Sequence, residues 1–184
     1  DVGTVLIEGG HSDIVVAGRI DNATGTTSIN TTGSIKTTLG QIGGKVISLS
    51  GAGGIGSAYE YVALDLAGEE SGAYIDASAT GGAVFLEERT GATIIGAVTA
   101  GGNRDVSIKA DGDMTRENSS SLITGGKIDL LSEYGNIGAD SSNKIRVNSG
   151  NRPTHLFTAQ AVSGDVHLEE TSGDLRIFEI KASS

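Results

Sequence analysis

Val84-Phe85-Leu86-Glu87-Glu88 returns further along as Val166-His167-Leu168-Glu169-Glu170, and this pair of segments sets the reading of the whole chain. The same offset carries Gly43-Gly44-Lys45-Val46 to Gly125-Gly126-Lys127-Ile128, and Ile55-Gly56 to Ile137-Gly138. A variant of the first motif, Gly3-Thr4-Val5-Leu6-Ile7-Glu8, opens the chain at nearly the same distance before its counterpart. Three matches in one register mark an internal repeat, the signature of stacked supersecondary units that cannot bury their apolar faces singly.

A shorter period lies inside the long one. Apolar-x-apolar pairs occur at Val62/Leu64, Val84/Leu86, Val106/Ile108, Ile128/Leu130, Ile145/Val147 and Val166/Leu168, after a first strand beginning at Val46. Their first members follow one another at intervals of roughly 16 to 22 residues, close to one solenoid coil. Such alternation points one side chain inward and the next outward along a short strand. Single apolar residues, usually beside glycine, supply the other strands of each coil at Ile55, Ile75, Ile94, Met114, Ile137 and Leu175. Gly, Asn, Asp and Ser then make the corners. The pattern predicts an all-β, right-handed parallel β-helix, a β-solenoid of about 20 residues per coil with a super-repeat of about 82 residues. It covers residues 1–184 as a single segment of a longer repetitive protein. About eight to nine coils at roughly 4.8 Å give a rod on the order of 40 Å long.

Other architectures fit less well. No window holds i, i+3, i+4, i+7 apolar spacing free of glycine, and an interior glycine costs a helix about 1 kcal/mol. A β-propeller would show aromatic signatures at about 40 residues per blade, and a leucine-rich repeat a regular Leu and Asn consensus.

Composition narrows the function classes. Among 184 residues there are 29 Gly, one Pro, no Cys and no Trp, so the core is built from Val, Ile, Leu and Ala. The net charge of -10 and pI near 4.6 set the chain against phosphate backbones and anionic lipid surfaces, so neither nucleic acid nor membrane insertion is expected. No apolar run approaches the roughly 20 residues of a spanning helix, and no charged segment followed by an apolar one opens the chain.

Gly126-Lys127-Ile128-Asp129-Leu130-Leu131, Gly135-Asn136-Ile137-Gly138-Ala139-Asp140 and Gly164-Asp165-Val166-His167-Leu168-Glu169 resemble the repeats of filamentous haemagglutinin-type exoproteins. The resemblance is one of repeat style over nearly the whole chain. It implies a long β-helix exported to the bacterial cell surface or beyond it, working in attachment or biofilm formation. The partners it implies are a host or matrix glycan or protein, or a bacterial exopolysaccharide. Cut β-helix ends are also expected to associate end to end.

No catalytic constellation and no cofactor are expected. Glu87-Glu88 and Glu169-Glu170 could share a proton or a cation, but their recurrence after a strand reads as a solvated rim, one member outward and the other in a corner. His11, His155 and His167 are scattered, which weakens the alternative of a polysaccharide lyase or hydrolase. His167 at the place of Phe85 marks that position as outward. A second alternative, a calcium-binding repeat, finds oxygen ligands at Asp111, Asp113 and Glu117, but Gly9-Gly10-His11-Ser12-Asp13 and Gly101-Gly102-Asn103-Arg104-Asp105 miss the third glycine of the calcium nonapeptide. The threonines between Thr24 and Thr38 read as a solvated face or corner. The only proline interrupts the repeat, so Asn151, Arg152, Pro153, Thr154 and His155 are the expected binding loop.

Overall fold

Short strands of alternating side chains reach stability only when copies stack, because each strand then buries its inward residues against the same positions above and below. The computed structural model describes residues 3–67 and 72–183, and in them this stacking yields a parallel β-solenoid of about eight turns, roughly 22 residues apart. Of the expected 1–184 segment, residues 1–2, 68–71 and 184 lie outside the described residues.

Each turn contributes a strand to two principal sheets. The first sheet stacks Thr4–Glu8, Thr26–Thr31, Val46–Gly51, Tyr74–Ala79, Thr93–Ala100, Leu122–Gly125, Ile145–Ser149 and Leu168–Glu170. The second stacks Ile14–Val16, Ser34–Thr37, Gly54–Ile55, Val84–Glu88, Val106–Ala110, Ile128–Ser132, Phe157–Ala161 and Ile177–Ala182. In the first three turns a third short strand follows, Arg19–Ile20, Gln41–Gly44 and Val62–Leu66, and the last of these pairs with the far half of Val84–Glu88.

Register turns sequence alternation into columns. Ile7, Ile29, Leu49, Ala77, Val98, Ile123 and Val147 form one inward column of the first sheet. Ile14, Ile35, Ile55, Val84, Val106, Ile128 and Phe157 form its counterpart in the second. Most of these side chains are fully buried, and each aliphatic one contributes about 1.5–3 kcal/mol on leaving water.

Three sequence expectations change here. The motifs matched by the long offset fall on opposite sheets: Val46 lies in the first and Ile128 in the second, while Val84 lies in the second and Leu168 in the first. The long offset therefore repeats a local strand-and-corner pattern and not a whole number of turns. The short period also changes sheets after Ile128. Its partner in the next turn is Phe157, set further along the chain because residues 150–156 lengthen that corner, whereas Ile145 belongs to the first sheet. Finally, Thr27, Thr31 and Thr37 are buried and not solvated, since their Oγ1 atoms donate to the backbone carbonyls of Gly43, Ser12 and Tyr61.

Candidate functional site

Corner length varies from turn to turn, and this carves the surface. Between the first and second sheets the chain needs five residues at 101–105, only two at 126–127, and seven at 150–156. The middle turn is thus overhung on both sides. Gly125 and Gly126 keep it low: a Cβ on Gly126 would collide with the Asn103 carbonyl, and one on Gly125 would sit 2.8 Å from Val106 Cγ2. The result is an open groove of about 570 Å³.

Thr99, Thr124 and Asn148 stand in register on three successive strands along one wall of this groove. Asn103 stands on one rim, in the single-turn 3-10 segment Gly101–Asn103. With φ +59° it is the one non-glycine residue in the left-handed region among the described residues, a conformation that asparagine tolerates better than most. Asn151 and Arg152 form the other rim.

The expected loop Asn151–His155 is therefore split by the structure. Asn151 and Arg152 line the groove, whereas Pro153 and Thr154 are exposed beyond it. The His155 backbone N–H donates to Arg152 O at 2.9 Å, closing a turn with proline in its second position, where its fixed φ is favoured. Arg176 Nη1 holds Asn151 O from the following turn at 2.9 Å. His155 itself is buried, contrary to the expected exposed loop, because its imidazole fills the space left by Gly150 and Gly126. Its Nδ1 has no hydrogen-bond partner among the described residues. The other groove residues, Thr99, Asn103, Thr124 and Asn148, carry no mark in the sequence, since stacking alone brings them together.

A second, smaller cleft of about 250 Å³ has charged walls: Glu87, Glu88, Arg89, Lys109, Asp111 and Glu133. Glu87 faces outward and pairs with Arg89 at 2.9 Å. Glu88 is only 2% exposed, so it is not part of a solvated rim. Burial pushes its carboxyl up to about 7, with the Asp65 charge adding to the rise and the Leu66 and Thr90 N–H groups opposing it. Oε2 accepts from Leu66 N at 2.7 Å and Oε1 from Thr90 N at 3.2 Å, so both oxygens are committed to the backbone. Glu170 repeats this arrangement on the other sheet, accepting from Ser149 Oγ at 2.7 Å while Glu169 lies outward near Arg146.

Phe85 is outward, in register with Ser107 and Asp129, and packs edge-on against Tyr61 at 5.5 Å. Asp113 Oδ1 accepts from Asn136 N at 2.7 Å. No three His, Cys, Asp or Glu residues among the described residues are grouped so as to hold a metal ion. Among the described residues, no helix is long and apolar enough to cross a membrane. In comparisons with known proteins, no family model, no curated protein and no solved structure matches this chain.

Proposed function

We propose that this chain is an adhesive, load-carrying segment of a large bacterial exoprotein exposed at the cell surface or secreted, acting in attachment or biofilm formation. The observation that carries this reading is the groove over three turns of the stacked ladder, a concavity whose lining is polar and whose backbone frame is hydrogen-bonded. Parallel stacking keeps such a surface fixed under load, because every turn is hydrogen-bonded to its neighbours along both sheets. The resemblance to haemagglutinin-type repeats points the same way.

The charged cleft around Glu88 favours a second reading, a polysaccharide-active domain, since a carboxyl with a pKa near neutrality suits a general acid. Its two oxygens are engaged by backbone N–H groups, which fits a structural acid better than one that meets substrate.

The test is to pass the purified chain over immobilised surface polysaccharides, reading retained protein and newly released sugar ends together. Adhesion predicts retention without new ends. Release of ends would replace the adhesive reading by the enzymatic one, and neither retention nor release would remove both.

A further inference from the structure

Corners of this solenoid generally consume their own polar side chains. Asn22 Nδ2 donates to Thr26 O at 3.0 Å, and Asp13 Oδ1 accepts from Ser34 N at 2.8 Å. Asp140 Oδ1 accepts from both Ser142 N and Asn143 N, at 2.6 and 2.9 Å. Such side-chain to backbone bonds are what asparagine, aspartate and threonine ordinarily do in turns.

The groove departs from this habit. Thr99, Asn103, Thr124, Asn148, Asn151 and Arg152 make no side-chain hydrogen bond or ion pair among the described residues. These six uncommitted residues thus line one concavity, with the Asn151 amide lying over Gly173 of the following turn. The backbone beneath them is fixed: Gly126 N donates to Arg104 O at 2.7 Å, Gly150 N to Gly126 O at 3.2 Å, and Arg104 N to Gly101 O at 3.2 Å. A preorganised frame with free polar groups loses little entropy when a ligand arrives.

Spacing and charge restrict what that ligand is. Thr99, Thr124 and Asn148 are equivalent positions on adjacent parallel strands, hence about 4.8 Å apart along the axis. A linear polymer lying along the rod meets the same kind of contact at each turn, whereas a compact ligand meets only one. Hydroxyls and amides recognise hydroxyls and acetamido groups. Among the described residues, Arg152 is the one charged residue in the lining, and a guanidinium pairs a carboxylate in bidentate fashion. Among the described residues the lining holds no acidic side chain, although the chain as a whole carries a net charge of -10.

We propose that the groove between residues 99–103 and 148–152 binds a linear, hydroxyl-rich oligosaccharide laid along the solenoid axis, with a carboxylate of the saccharide held by Arg152. This rests on the adhesive reading above and names the class of ligand and the residues that would carry it.

The test titrates the full chain with a hyaluronan hexasaccharide, a linear saccharide with a carboxylate on alternate sugars, and with its carboxyl-reduced form, while following backbone amide resonances. The expected result is concentration-dependent shifts at Gly101, Gly125, Gly150 and Asn151, several-fold stronger with the acidic form. Arg152→Gln should abolish that preference while leaving weak binding of both forms, and Asn148→Ala with Thr124→Ala should weaken both. All of these positions are at the surface or on the outward side of strands, and an unchanged amide spectrum elsewhere reports that the variants fold. Shifts that map outside the groove, or an acid preference that survives Arg152→Gln, overturn this assignment. If the chain is retained on immobilised polysaccharide in those cases, adhesion stands without it. Absence of shifts together with absence of retention overturns both.

Discussion

Glu88 occupies an inward position, in register with Leu64 on one side and Ala110 on the other, where the column of Val84 and Leu86 calls for an apolar side chain. Its burial raises the carboxyl from 4.5 to about 7. A group whose pKa is raised on folding stabilises the fold fully below its unfolded value and loses that contribution as pH rises through the folded value. Across the span from 4.5 to about 7, at about 1.4 kcal/mol per pH unit, the loss amounts to roughly 3 kcal/mol. Asp13 and Asp140 titrate lower, held below the ordinary carboxylate range by hydrogen bonds from Lys36 and Asn143 respectively, and they act in the opposite sense. The expected outcome is that Glu88→Gln removes a fall in stability between about pH 5 and about pH 8 that the unaltered protein shows. Urea unfolding midpoints at both pH values measure this, and equal slopes in the two proteins would refute the assignment. A glutamine side chain has one acceptor oxygen and a nitrogen that only donates, so it cannot accept from both Leu66 N and Thr90 N, and the variant should also lose about 1 kcal/mol at low pH.

Corners separate glycines that the fold requires from those it tolerates. A Cβ on Gly82 would lie 2.5 Å from both Gly53 C and Gly54 Cα, which belong to the turn stacked against it and cannot rotate away. Gly18 has nothing among the described residues within 4 Å of the same point and an ordinary φ. Gly82→Ala should therefore cost about 1–3 kcal/mol through forced separation of turns. Gly18→Ala should stabilise by about 0.4–1 kcal/mol by restricting the unfolded chain. Denaturant midpoints of the two variants check this, and similar values would mean that the corners yield more than their geometry implies. Corners also explain how much of the fold was legible in the sequence. Val84/Leu86, Val106/Ile108 and Ile128/Leu130 recur at even spacing because the turns that join them are equally long, so their columns could be read directly. Phe157/Ala159 was hidden by its longer corner, and Ile145/Val147 took its place in the pattern. Thr27, Thr31 and Thr37 look like surface residues by type, and only the backbone carbonyls that accept their hydroxyl protons make them interior. The lone proline drew attention to Asn151 and Arg152, but Thr99, Thr124 and Asn148 lie a full turn apart in sequence and become neighbours only through register.

At the scale of the whole solenoid, each turn contacts only the turns beside it, so stability is a sum of nearest-neighbour interfaces and opening is easiest where one neighbour is missing. The outermost described strands carry this in their exposure: Ile177 and Phe178 are 55% and 71% accessible, while Val84, Val106 and Ile128 in the middle of the same sheet are fully buried. Native-state hydrogen exchange on residues 1–184 taken by themselves should consequently show a gradient, with the amides of Val84–Glu88 and Val106–Ala110 opening last and those of Thr4–Glu8 and Ile177–Ala182 opening first. Leu86 is buried between Val62 and Ile108 in the middle of that gradient, and Leu86→Ala should cost about 2–5 kcal/mol. In a chain of coupled turns that loss falls on its own two interfaces, so protection at Val62–Leu66 and Val106–Ala110 should drop well before protection at Thr26–Thr31 or Ile145–Ser149 changes. A globular core would respond otherwise, with one common loss at every protected amide. Observing that uniform loss would mean that the two ends communicate through more than adjacent turns, and a rod of that kind could not confine strain at the groove from the turns on either side of it.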